Sequence, residues 1–163
     1  MLKYLTGAPE FDLAPMEAGD CAEVAALHAG RFPSPWGEDE FASLFSQETV
    51  YGFVARQTNA WTGRPMTGFV LAREVAGEAE ILTIAVSERV ARAGLGWRLM
   101  RAAMGEADLR GATEMFLEVD SANGPAVGLY GKLGFEKVGE RAAYYAAGDG
   151  TRSTALVMRR VLG

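Results

Sequence analysis

Residues 80–100 constrain the fold of this chain more than any other stretch. Glu80-Ile-Leu-Thr-Ile-Ala-Val86 reads as an apolar strand, residues 87–93 as a turn bearing Arg89 and Arg92, and Gly94-Leu-Gly-Trp-Arg-Leu-Met100 as the opening of a helix. Without a Cβ, Gly94 and Gly96 let the backbone approach a ligand closely. The helix they open offers unpaired N–H groups and the positive end of its dipole, which suits an anion such as phosphate. Arg89, Arg92, Arg98 and Arg101 crowd the same place, and only Glu88 opposes them. Read alone, two glycines one residue apart also fit a strand-to-helix turn that needs them for packing.

Strand and helix signals extend on both sides. Residues 11–17 alternate as a first strand, and Gly19-Asp20 offers an N-cap for a short helix, to about Arg31, with Cys21, Val24, Ala25 and His28 at helical spacing. Phe32-Pro-Ser-Pro-Trp36 must break that helix, and residues 37–45 restart one. Residues 50–55 and 67–73 are strand-like, with turn chemistry at 58–65 between them and Gly77 turning the chain into the strand at 80–86. The helix from Gly94 stops at Arg110-Gly111, and Glu114–Asp120 is the next strand, parallel to 80–86 through a right-handed crossover. Pro125 begins a last helix that ends at Gly134, and residues 135–145 and 151–161 close as a hairpin across 146–150. The expected fold class is therefore α/β, a mixed central sheet of about seven strands with flanking helices. At 163 residues the chain suits one domain, 1–163, with residues 1–10 frayed.

Chemistry in such a sheet belongs outside the carboxyl ends of its parallel strands, here those ending at Val86 and Asp120. If the two strands splay, the backbone of Ile84, Ala85 and Val86 can pair with something extended and amide-bearing. Glu118 alternates with Leu117 and Val119, so it projects from one sheet face beside the splay; it reads equally as an ordinary solvated carboxylate. Tyr130 falls among apolar helix positions, where it could be a core tyrosine with its hydroxyl tied to a carbonyl. Asn123 stands where a cap ahead of Pro125 would be.

Composition excludes several classes. A net charge of −5 argues against a general nucleic-acid binder and is compatible with a basic peptide partner. With one cysteine, Cys21, and one histidine, His28, neither an intrachain disulfide nor a zinc site is expected; both residues share an apolar helix face and read as structural. No secretory signal or membrane-length apolar run is visible, so a cytoplasmic protein without membrane association is expected.

Ile84-Ala-Val86, Gly94-Leu-Gly96, Leu117-Glu-Val119, Asn123, Leu129-Tyr130 and Leu133-Gly-Phe135 together resemble the GNAT acetyltransferase superfamily. Within it they are similar to the RimI type, which acetylates the N-terminal alanine of a small ribosomal subunit protein. The resemblance covers nearly the whole chain. It implies acetyl-CoA as cosubstrate and no metal, with pantetheine lying against Ile84, Ala85 and Val86 as a pseudo-strand. The pyrophosphate would sit on the amides of Arg92, Ala93, Gly94, Leu95, Gly96 and Trp97, and Asn123 would add a cofactor contact. It further implies Glu118 as general base and Tyr130 as the acid that protonates the departing thiolate. Trp36, Tyr144 and Tyr145 match residues flanking the acceptor side; as bare residues they could equally fill core beneath a loop or alternate on a strand.

This chain departs from the family pattern at Ala91, where Gln or Arg is usual, at Ser87-Glu88 and at Ala146, where a proline is usual. The implied partner is a protein N-terminus, with the enzyme a monomer or weak dimer. A small-molecule amine as acceptor and a non-catalytic CoA-binding or docking module are the rival readings. A peptide α-amine, with a pKa of about 7.7–8.0 against about 10.4 for lysine, suits a single carboxylate base better.

Overall fold

A computed structural model of the chain describes residues 7–146 and 152–163, with only the backbone of 143–146 and 152. Seven strands form one mixed sheet: β1 (Phe11–Pro15), β2 (Val50–Gln57), β3 (Met66–Val75), β4 (Glu78–Val86), β5 (Glu114–Asp120), β6 (Glu136–Ala146) and β7 (Arg152–Val161), in the order β1-β2-β3-β4-β5-β7-β6. Among the described residues four α-helices accompany them: α1 (Cys21–Ala29), α2 (Glu38–Phe45), α3 (Leu95–Leu109) and α4 (Gly124–Lys132). The chain divides into two compact units. One holds the residues up to Arg73 with Leu82–Ala103, and the other holds Glu74–Ile81 and the chain from Met104 onward.

In the first unit, β1, β2 and β3 form an antiparallel meander, Phe11 opposite Gln57 and Val50 opposite Arg73. Its core is Met16, Cys21, Val24, Phe41, Val50, Val54, Phe69, Leu71 and Ala85, with Trp36, Leu44 and Phe45 packed against it. Strand 1 ends at Pro15, two residues before the expected limit, because the chain then tightens into a 3-10 turn, Ala18–Asp20. Asp20 does not cap α1 with its side chain. One carboxylate oxygen accepts from the Glu17 N–H at 2.8 Å, and the other pairs with Arg56, which also binds Glu23. Residues 1–6 of the segment expected to fray lie outside the described residues. Ala8 and Glu10 are fastened by Asn59, whose Nδ2 donates to the Ala8 carbonyl and whose Oδ1 accepts from the Glu10 N–H.

The start of α3 lies against β3 at Gly68, where a Cβ would come within 3.0 Å of Leu99 Cδ1 and 3.2 Å of Leu95 Cδ2. Both leucines are almost wholly buried, so neither can swing away. Gly68→Val is therefore expected to lower stability by about 1–3 kcal/mol, the usual cost of overpacking. Urea denaturation would measure it.

In the second unit, β4 and β5 are parallel, as the crossover through α3 requires, with Glu78–Glu80 opposite Glu114–Phe116. Ala76 and Gly77 both adopt positive φ and return the chain from β3 into β4 two residues earlier than expected. Strand β7 lies antiparallel to both β5 and β6, giving the expected closing hairpin; its connection, residues 147–151, lies outside the described residues. Buried residues here include Met115, Leu117, Val119, Leu133, Phe135 and Met158. Among the described residues no helix is long and apolar enough to cross a membrane.

Candidate active site

The first unit carries the candidate cofactor backbone. Along β4, Ala85 is buried in the core, whereas Ile84 and Val86 on the other face are only half-buried. The strand leads into a 3-10 turn, Glu88–Val90, pinned by the buried Val90. Past it the chain is exposed through Ala91, Arg92, Ala93 and Gly94 before Leu95 plugs back into the core. Arg92 (φ 67) and Gly94 (φ 77) both occupy the left-handed region. For glycine this is free; for arginine it stores strain of order 1 kcal/mol. Left-handed residues in a turn aim successive N–H groups into a concavity suited to anions. The Gly94 carbonyl accepts from the Arg98 N–H, so Gly94 is the residue from which α3 begins, and the first turn of α3 carries no acidic side chain to offset its dipole. Glu88 does not neutralise its arginine neighbours along the chain: its carboxylate takes Arg31 Nη1 at 2.7 Å.

Relief of the strain at Arg92 should be visible in stability. Arg92→Gly is expected to raise stability by roughly 0.5–1 kcal/mol, since glycine adopts the same backbone without penalty. Thermal melting of the ligand-free protein would check this.

Trp36 also belongs to the first unit, half-buried against the core, so the core-filling reading of its ring is met. The ring lies 5.2 Å from His28 and 5.5 Å from Phe41. Arg31, at the start of the same loop, is the partner of Glu88, which ties the Phe32–Trp36 segment to the turn ahead of the anion concavity.

Glu118, Asn123 and Tyr130 belong to the second unit. Alternation along β5 buries Leu117 and Val119 and exposes Glu118. Its carboxylate is held in both oxygens by Arg141, Nε to Oε1 at 2.6 Å and Nη2 to Oε2 at 3.0 Å. Sequence reasoning missed Arg141. It shares Glu118's face because Val157 lies opposite both Glu118 and Gly139, and Arg141 lies opposite Ala155, two residues further along β7.

Tyr130, on α4, is 6% exposed, and its ring meets Phe135 edge to face at 6.1 Å. Among the described residues no carbonyl accepts from its hydroxyl, so the reading of a core tyrosine with a tied hydroxyl is met only in its burial. Burial in this apolar setting pushes its pKa from 10.0 up to about 12. Asn123 is the cap that its position suggests, Oδ1 accepting from the Ala126 N–H at 3.2 Å, with Pro125 in the first turn behind it. Its side chain is exposed. Tyr144 and Tyr145 lie on β6, and their side chains fall outside the described residues.

The first unit thus carries a strained, glycine-assisted turn between β4 and α3, and the second a carboxylate on β5 and a buried phenol on α4. The Acetyltransferase (GNAT) family profile matches residues 21–135, a span that contains the anion turn, Glu118 and Tyr130. The chain is 35% identical over 146 residues to the [ribosomal protein bS18]-alanine N-acetyltransferase of Escherichia coli, covering 90% of this chain and 94% of that one. The crystal structure of the ribosomal-protein-S18-alanine N-acetyltransferase from Escherichia coli superposes with a TM-score of 0.84 at 29% identity, over 94% of this chain and 95% of that one. NAA60 of Arabidopsis thaliana, solved with acetyl-CoA, shares the fold at a TM-score of 0.80 and 18% identity, over 93% of this chain and 98% of that one. With a family profile matching residues 21–135 and a relative 35% identical over nine-tenths of the chain, this protein belongs to the GNAT acetyltransferase family.

Proposed function

We propose that this acetyltransferase moves an acetyl group from acetyl-CoA to the N-terminal α-amine of a protein in the cytoplasm, that the acceptor residue is alanine, and that the protein belongs to the small ribosomal subunit. The observation that carries this reading is the likeness, over nine-tenths of the chain, to a relative named for that reaction.

The residues support it in defined roles. The pyrophosphate of acetyl-CoA rests on the amides of Arg92, Ala93, Gly94, Leu95, Gly96 and Trp97, where the left-handed turn and the uncompensated start of α3 favour negative charge. Backbone amides make this contact, so Ala91 in place of a longer polar residue is tolerated. Pantetheine runs along Ile84, Ala85 and Val86, and Asn123 adds a contact while capping α4. Glu118 takes the proton of the attacking amine. Arg141 occupies one lone pair on each oxygen, and an ionised carboxylate has about four acceptor sites, so sites for that proton remain. Tyr130 donates to the sulfur as the C–S bond breaks. Trp36, Tyr144 and Tyr145 line the acceptor.

The direct test incubates small-subunit ribosomal proteins and a panel of free amines with acetyl-CoA and the enzyme, read by mass spectrometry. One acetyl group on a single N-terminal alanine is the expected product. Acetylated small amines beside untouched ribosomal proteins would keep the family and overturn the acceptor. Arg92→Gly, which leaves the fold intact, is expected to raise the KM for acetyl-CoA several-fold by removing a cation from the phosphate turn. An unchanged KM would show that the guanidinium plays no part there.

A further inference from the structure

We infer that His28 is a positioning residue for the acceptor: it fastens both ends of the Phe32–Trp36 loop and so sets the shape in which Trp36 meets the peptide. This rests on the reading of Trp36 as an acceptor-lining residue.

The loop has few ways to hold itself. Pro33 and Pro35 carry no N–H, which removes two of its five backbone donors. Of the others, the Phe32 N–H donates to the His28 carbonyl at 3.0 Å and the Trp36 N–H donates to His28 Nδ1 at 3.1 Å. One residue thus receives the first and the last amide of the loop. Its ring also stacks on Phe32, 4.1 Å and 16° away, and on Trp36, 5.2 Å and 21° away, while Phe41 of α2 meets it edge-on at 5.2 Å. At 2% exposure His28 is buried.

Accepting the Trp36 N–H at Nδ1 requires a lone pair there, so the ring is neutral with its proton on Nε2. A proton on Nδ1 would set two donors face to face and release the end of the loop that carries Trp36. Burial holds the pKa below its usual 6.5, and Glu40 of α2 acts in the opposite direction. The other groups packed around the ring, Phe32, Trp36, Phe41 and Phe69, are uncharged. The neutral, loop-holding form therefore prevails near neutrality and is lost in acid.

His28 is the only histidine, so its imidazole gives one unambiguous set of NMR signals to titrate. The probe is a peptide beginning with N-acetylalanine, which has no amine to titrate, bound in the presence of CoA. In the wild type its Kd is expected to weaken about tenfold, the loss of roughly one buried hydrogen bond, in step with the imidazole titration. His28→Phe keeps a stacking ring and removes the acceptor. At neutral pH this variant should raise the acceptor KM about tenfold, leave the acetyl-CoA KM within about twofold, and show no further weakening over the wild-type titration range. A peptide Kd that stays flat through the wild-type titration, or falls equally in His28→Phe, overturns the inference. If the variant does not fold, the wild-type titration alone decides. Failure of the peptide to bind the wild type at any pH would instead sink the peptide-acceptor reading, and this inference with it.

Discussion

Tyr130→Phe is expected to lower kcat by about 10²–10³ while leaving the KM for acetyl-CoA within about twofold. The ring is buried and packed edge to face on Phe135, so phenylalanine fills the same space and only the hydroxyl is lost. That hydroxyl is a poor acid in equilibrium terms. With a pKa of about 12, full transfer of its proton to a thiolate of pKa about 8.5 is uphill by roughly 3.5 units, or ~5 kcal/mol. In the proposed reaction Tyr130 therefore serves as a hydrogen-bond donor to sulfur whose stabilisation grows as the C–S bond lengthens. A raised pKa also keeps the donor protonated, so the wild-type rate should show no alkaline loss from Tyr130 below about pH 11.

The sign for stability follows from the same shift. The folded pKa lies above the unfolded one of about 10, so Tyr130's contribution is intact below pH 10 and is lost as pH rises through about 12. The loss is of order 2–3 kcal/mol. Tyr130→Phe should consequently resist alkaline unfolding better than the wild type, although it is the slower enzyme. A large rise in the acetyl-CoA KM would instead assign the hydroxyl to binding.

Glu118→Gln is expected to cost about 10²-fold or more in kcat/KM for the acceptor, with the fold and acetyl-CoA affinity retained. Glutamine keeps the size of the side chain and can still accept from Arg141 through its one carbonyl oxygen. It cannot take a proton from an ammonium group. The bidentate pair is exposed, 37% at Glu118 and 53% at Arg141, so its rupture should lower stability by no more than about 1 kcal/mol. A single-turnover measurement with excess enzyme isolates the chemical step. Undiminished acetyl transfer there would place the base elsewhere.

How far the site could be read beforehand depended on the range of the interactions that build it. Glycines at 94, 96 and 111, the Asn123-Gly-Pro125 cap and the alternation of Leu117, Glu118 and Val119 act over a few residues, and each appears in the fold as read. Asp20 failed as a side-chain cap because Arg56, 36 residues away, competes for its carboxylate. His28 read as a core histidine from its apolar helix face. Nothing local indicated that Trp36 would donate to its Nδ1, since two prolines leave the path of that loop open.

Arg141 is the clearest case. Lys137 lies opposite Met158 while Gly139 lies opposite Val157, so an extra residue bulges from β6 between them. Side chains on a strand alternate with a period of two, and one inserted residue therefore exchanges the faces of everything beyond it. Arg141 reaches Glu118 only because of that bulge. The sequence by itself determined the order of elements and the glycine-opened start of α3, because spacing and backbone preference specify them locally, and its motifs carried the resemblance to the family. Tertiary structure alone decided which cation holds Glu118, what fastens Trp36 and how far burial raises the Tyr130 pKa, because each depends on packing between residues far apart in the chain.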